Sequence, residues 1–279
     1  MTGVPRGREE LGARLRALRE DAGLTGAALA RQLGWPGSKV SKLEHGKQLP
    51  TAADVTAWVT AVGGSSDVQA DLLTDLRTVR LEHRSWARLL RRGTADRQRA
   101  IRPLDHATTM LRAFEPAIVP GLLQTAEYAR WVLEGVITLR GLPNDVADGV
   151  HARLDRQRIL YEESKQFRFL VTEAALRYLL CPPEVLRGQL DRLLAIAGMP
   201  NIELAVLPFS KQLPYPALHG FWLYDNRLVL VDTNTAELSL RDADDVALYE
   251  RLFDRLWSMA VHESEASRLV AATARTLST

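Results

Sequence analysis

The chain has 279 residues, enough for two folded units with buried cores. Its 36 Lys and Arg against 34 Asp and Glu, with 46% hydrophobic and 25% charged residues, exclude a disordered or collagen-like polymer. A single cysteine, Cys181, excludes an internal disulfide framework or multi-thiolate metal centre. No apolar run approaches the ~18 residues of a membrane span, and the charged Met1–Leu11 stretch does not read as a signal peptide, so a cytoplasmic protein is expected.

Leu11, Leu15 and Leu18 recur at helical spacing before Gly23. Thr25 is placed to cap a short apolar helix carrying Ala28, Leu29, Ala30 and Leu33, which Gly34 closes. After Trp35-Pro36-Gly37, Ser38 is placed to cap a third helix through Lys39–Glu44, stopped by Gly46. Pro50-Thr51 opens a fourth helix with Val55, Trp58, Val59 and Val62 inward, and Gly63–Ser66 is the first hinge. From Asp67 to Arg92, the spacing of Leu72, Leu76, Val79, His83, Trp86 and Leu90 predicts one long helix with a short apolar seam. Gly93-Thr94 restarts a basic helix that Pro103 interrupts.

Beyond Met110 the texture changes. Strands are predicted at Leu111–Glu115, Phe167–Val171, Ile202–Leu207, Phe221–Tyr224, Leu228–Val231 and Ala236–Leu240. Helices are predicted at Gln124–Glu134, Asp145–Glu163, Pro183–Ala197 and Val246–Ala260, and Asp225-Asn226 reads as a two-residue hairpin turn. The expected architecture is multi-domain. An all-α helix-turn-helix head at 1–64 precedes a helical linker region at 65–110 and an α+β domain at 111–279 with a small, mostly antiparallel sheet. The seam at Leu72–Leu90 and the apolar stripe at Leu248–Trp257 are the candidate self-association surfaces.

Charge is uneven along the chain. Residues 1–103 carry 18 basic and 11 acidic side chains, net +7, whereas residues 104–279 carry 18 and 23, net −5. This points to a polyanionic partner for the N-terminal part. The short helices at 25–33 and 38–45 match a helix-turn-helix. Val40 and Leu43 would anchor the second helix, leaving the Gly37 backbone, Ser38, Lys39, Ser41 and Lys42 outward for the major groove of duplex DNA. Glu44 lies beside apolar Leu43, and Arg19 is its natural bidentate partner, a structural pair rather than a DNA reader.

Leu11 to Gly63 resembles the five-helix domain of phage-repressor and XRE-type (lambda-repressor-like) regulators, through Leu24-Thr25-Gly26-Ala27-Ala28-Leu29-Ala30-Arg31-Gln32-Leu33-Gly34 and Ser38-Lys39-Val40-Ser41-Lys42-Leu43-Glu44-His45-Gly46-Lys47. Phe114–Thr125 and Pro200–Phe209 are similar to segments of a large actinobacterial subgroup whose C-terminal domain has a poorly defined role. The resemblance implies base contacts at Gly37, Ser38, Ser41 and Lys42, and phosphate contacts near Thr25, His45 and Lys47. Gly26 stands where that pattern has a Gln, and Gly37 replaces a side chain that often reads bases, so Lys42 is the favoured direct contact. The resemblance further implies a homodimeric transcription regulator, repressor-like and modulated through its C-terminal domain. The alternative is an antitoxin-like interaction module that acts by binding a small partner protein.

Nothing in the sequence argues for an enzyme. The six His residues have no metal-ligand spacing, and there is no nucleophile elbow, phosphate loop or dinucleotide fingerprint, so no catalytic residue, metal or cofactor is expected. Asp242, Asp244 and Asp245 read as acids opening a helix rather than cation ligands. Pro120, Gly121 and Gln124 suggest either a pocket wall or a rigid turn ahead of a helix capped by Thr125. Tyr215, in a Pro-flanked loop, is a further candidate for contacting a small-molecule effector or a partner.

Overall fold

The computed structural model describes residues 3–80, 82–213, 215–216 and 218–277. The chain divides into two compact units, Met1–His83 and Arg84–Thr279.

The first unit is helical: α1 (Gly3–Asp21), α2 (Gly26–Leu33), α3 (Gly37–Glu44), α4 (Ala52–Ala61) and α5 (Ser66–Arg80). Local chemistry sets the helix ends. The Thr25 hydroxyl accepts the Ala28 N–H at 3.1 Å, and Gly34 closes α2 in the left-handed conformation at φ 65°. Thr51 and Asp54 form a reciprocal capping box at the start of α4. Leu11, Leu15, Leu29, Val40, Leu43, Val55 and Trp58 fill the core, and the Trp58 indole N–H donates to the Leu15 carbonyl at 3.1 Å. Full burial removes that indole from water, so its N–H needs this partner.

Leu72 and Leu76 belong to the same core, and α5 packs on α1 and α4. The predicted long helix to Arg92 is not formed. The helix α5 ends at Arg80, and a short strand, β1 (Glu82–Ser85), spans the division between the units; the side chain of His83 lies outside the described residues. The two ends of the apolar row serve different units, Leu72 and Leu76 the first and Leu90 the second, so one continuous helix does not suit both. Residues 65–110 are accordingly shared between the units, α5 lying in the first.

In the second unit, α6 (Trp86–Leu89) and α7 (Thr94–His106) precede β2 (Met110–Glu115). Then follow α8 (Ala126–Arg140), α9 (Val146–Arg156), β3 (Gln166–Thr172), α10 (Glu173–Arg177), α11 (Pro183–Ile196) and β4 (Ile202–Leu207). The last elements are β5 (Phe221–Tyr224), β6 (Leu228–Asp232), β7 (Ala236–Leu240), α12 (Ala243–Met259) and α13 (Glu263–Thr276). The sheet order is β1-β7-β6-β5-β2-β3-β4, and the six strands from β2 onward lie wholly in this unit.

The fold is α+β, as expected, and its mostly antiparallel sheet is mixed: β2, β3 and β4 run parallel, while β5, β6 and β7 add antiparallel to the free side of β2. The helices α8, α9 and α11 lie between successive parallel strands in the chain and supply the long crossovers that parallel pairing demands. One sheet face packs Leu111, Phe167, Phe169 and Ile202 against α8, α11 and α13. The other packs Phe114, Leu170 and Phe221 under Phe253 and Leu256 of α12. The stripe proposed for self-association is thus largely consumed by the chain's own core, leaving Leu248, 54% exposed, outside it.

Two further expectations are corrected, and one helix, α13, is not among those the sequence predicts. Pro103 lies inside α7 without ending it, and the carbonyls at the end of that helix and just beyond it receive the buried Lys165 ammonium, which donates to Asp105, His106 and Thr108. The β5–β6 connection holds three residues, not two. Asp225 there takes φ 49°, and its carboxylate accepts the Thr109 and Met110 N–H groups. The helix α13 had no strong apolar signature because small residues, Ala266, Thr273 and Ala274, carry much of its buried side.

Candidate functional site

Burial of Val40 and Leu43, 2% and 1% exposed, fixes the rotation of α3. Gly37, Ser38, Ser41 and Lys42 are thereby left exposed. The helix begins two residues earlier than a Ser38 cap implies, with Pro36 at the cap position and no side-chain cap. Ser38 therefore sits in the first helical turn rather than capping it. Thr25 and Lys47 are exposed, the Thr25 hydroxyl being engaged at the start of α2. His45 is exposed at the other end of α3, its Nδ1 2.7 Å from the Ser41 carbonyl.

Lys39 is set apart from this row. Its ammonium donates to Asp54 Oδ1 at 2.7 Å and lies 3.9 Å from the Trp35 ring centroid, a contact that ties α3 to α4. Arg19 reaches Glu44 with both arms of its fork: Nε donates to Oε1 at 2.5 Å and Nη2 to Oε2 at 3.2 Å, while Nη1 donates to the Leu24 carbonyl at 2.7 Å. The hydrogen bond to Glu44 raises the Arg19 pKa above its ordinary value.

Gly12, missed in the sequence, and Gly46, read there only as a helix stop, seat the same helix. A Cβ on Gly12 would lie 2.5 Å from the Glu44 carbonyl oxygen, and Gly46, at φ 63°, would carry one 2.9 Å from the Arg8 backbone. The backbones of α1 and of the end of α3 approach too closely for any side chain.

In the second unit, Pro120, Gly121 and Gln124 share one braced turn. Gln157 donates to the Gly121 and Gln124 carbonyls, buried Gln124 donates to the Val119 carbonyl, and Gln189 joins Leu123 to Thr125. Thr125 caps α8 by accepting the Tyr128 N–H at 3.2 Å. Arg153 donates to Gln124 Oε1, and burial together with neighbouring Arg156 pushes its pKa down to about 10. Tyr215 is not part of this group. It is half exposed, in the segment between β4 and β5.

Glu115, at the end of β2, accepts the Trp222 indole N–H at 2.8 Å. Burial, with a further contribution from Asp232, pushes its pKa up to about 8. The folded chain thus holds a proton that the unfolded chain releases near pH 4.5, so stability is expected to fall as pH rises from about 5 to 8. Urea denaturation at the two ends of that window checks this. Glu115→Gln should flatten the slope by roughly 3–4 kcal/mol across it; an unchanged slope would show that Glu115 ionises normally.

Among the described residues, no group of three or more His, Cys, Asp or Glu is placed to hold a metal ion, and no helix is long and apolar enough to cross a membrane. Residues 10–73 match a family described as a helix-turn-helix domain, and residues 98–272 match one described as a domain of unknown function, DUF5753. No curated protein matches the chain. Among solved structures it is similar to one reported as "Structure of TrmBL2, an archaeal chromatin protein, shows a novel mode of DNA binding", at 12% identity and a TM-score of 0.32, covering 86% of this chain and 88% of that one.

Proposed function

Starting from the premise that the chain belongs to the DUF5753 family and carries a helix-turn-helix domain, we propose that it is a sequence-specific, repressor-like transcription regulator of the XRE type, from the actinobacterial subgroup. The observation that carries this reading is the α3 row. Val40 and Leu43 are buried while Gly37, Ser38, Ser41 and Lys42 are exposed at the start and along one side of a short helix. A helix with small side chains at its exposed N-terminal turn enters a major groove without steric obstruction, and a lysine one turn later reaches guanine O6 and N7. Thr25, His45 and Lys47 flank this row and serve phosphates. Lys39 supports the helix through Asp54 and Trp35.

Binding as a homodimer would present two such helices to half-sites about 34–36 Å apart on the duplex. The braced turn at Pro120, Gly121 and Gln124 is the element through which a small-molecule effector acts. Binding-site selection on random duplexes tests the reading. Lys42→Ala should relax preference at one base pair by about 1–3 kcal/mol while leaving the rest of the site intact. An equal loss on every duplex would assign Lys42 to phosphate instead.

A second reading is an antitoxin-like module that binds a small partner protein. Three consecutive large side chains favour it: Tyr178, Leu179 and Leu180 are 54%, 62% and 45% exposed. The purified chain showing no preference among duplex sequences would favour this reading over the first.

A further inference from the structure

The densest positive charge of the N-terminal part lies beyond the helix-turn-helix head, whose residues 1–64 hold nine Lys and Arg against six Asp and Glu. Residues 1–76 hold nine Lys and Arg against nine Asp and Glu, whereas residues 77–102 hold nine Arg against two acids. Within the first unit, Arg14, Arg16, Arg19 and Lys39 are also paired with carboxylates. A head with a net charge of only +3, four of its cations already paired, draws much of its long-range attraction for a polyanion from elsewhere in the chain.

The second unit supplies it. Arg97 and Arg102 of α7 are committed to Glu237 and Asp155. In contrast, Arg88, Arg91, Arg92 and Arg99 are exposed and line a cleft of about 430 Å³ between α6 and the start of α7, over Leu89. Asp96, 2.8 Å from Arg99, is the one carboxylate lining it. The frame is rigid. Asp145 accepts both the Thr94 hydroxyl and the Ala95 N–H at 2.9 Å, locking the corner at Gly93, where φ is 95°. Guanidinium forks bind phosphate oxygens bidentately, and a single phosphate is satisfied by one or two of them. Four forks around one acid match a row of phosphates.

We propose that this arginine cleft is a second, sequence-independent site for the phosphodiester backbone of duplex DNA. The inference rests on the DNA-binding reading above and assigns most of the electrostatic contact to the second unit rather than to α3.

The test compares the full-length chain with Arg88→Gln/Arg91→Gln/Arg92→Gln and with Lys42→Ala, measuring affinity for a fluorescent non-specific duplex over a range of KCl. Each lost phosphate contact lowers the slope of log K against log salt by about 0.9. The triple variant is therefore expected to lose about 2–3 from the slope and about 10–100-fold in affinity at low salt, with its preference among duplexes retained. Lys42→Ala should lose no more than about 1. The corresponding triple Arg→Lys variant, which keeps charge, should keep most of the slope. If the triple variant fails to fold, Arg91→Gln and Arg92→Gln singly should each lower the slope by about 0.9. An unchanged slope overturns the cleft while leaving α3 as the reader. Inorganic phosphate competing away the cleft's contribution at low millimolar concentration would make it a small-anion site and overturn it likewise. No binding of any duplex by the unmodified chain overturns both readings.

Discussion

Arg19→Ala is expected to destabilise the first unit by roughly 3–5 kcal/mol. The magnitude follows from what is left behind rather than from the bond itself. The Arg19 and Glu44 side chains are only 9% and 7% exposed, so truncation leaves an enclosed carboxylate without its hydrogen-bonded cation, neighbouring Arg16 being committed to Glu20. It also frees the Leu24 carbonyl, which Arg19 Nη1 satisfies at 2.7 Å at the α1–α2 turn. A surface pair of the same geometry is worth a fraction of that loss. Urea denaturation, with amide exchange in α3 as a local probe, checks the prediction. Arg19→Met/Glu44→Leu should recover most of the stability, because no charge is then stranded. An unaltered midpoint for Arg19→Ala would show that water reaches Glu44.

The second unit has a counterpart of similar expected size. Arg156 Nε donates to Asp105 Oδ2 at 2.5 Å and Nη2 to Oδ1 at 3.3 Å, with Gln98 on the third arm, and the Asp105 side chain is fully enclosed. The pair joins α9 to the end of α7, and the guanidinium lies 5.7 Å from the Trp222 ring on the sheet. Arg156→Ala should therefore cost roughly 3–5 kcal/mol and accelerate amide exchange in α7 and β5. Asp105→Asn, which keeps the shape but removes the charge, should cost less than Asp105→Ala. Equal losses for the two would mean that the charge alone, and not the shape or packing of the side chain, holds the helices.

Much of the first unit is readable in the sequence because its signals are local. Thr25 and Gly34 delimit α2, Leu11 and Leu15 mark the inward side of α1, and Val40 and Leu43 fix which side of α3 faces out. The contact of Arg19 with Glu44 is readable too, since a carboxylate beside a core leucine requires a cation from the facing helix. What escapes a linear reading depends on partners far along the chain. The row from Leu72 to Leu90 has perfect helical spacing, yet its ends answer to different cores and the helix breaks between them. Lys39 shares the polar character of Ser38 and Lys42, but its neighbour in space is Asp54, fifteen residues away. In the second unit, strand positions are plain from their β-branched and aromatic runs. The parallel pairing of β2, β3 and β4 is not, because strand direction is set by the crossovers rather than by the strands. The turn at Gln124 likewise owes its shape to Gln157 and Gln189, whose roles no local pattern announces.

The paired glycines beneath α3 bear on how such a regulator diversifies. Gly12 and Gly46 let main chain rest on main chain, so the tilt of the helix is set by atoms that every amino acid has in common. The residues facing outward contribute nothing to that seat. Under the proposed reading of Ser38, Ser41 and Lys42 as the DNA contacts, substitutions there accumulate with little penalty in folding, and the helix behaves as an interchangeable key blank whose teeth are recut while its shank stays the same. A gene duplicate could acquire a new target through two or three such changes, whereas any side chain at position 12 would shift every tooth at once.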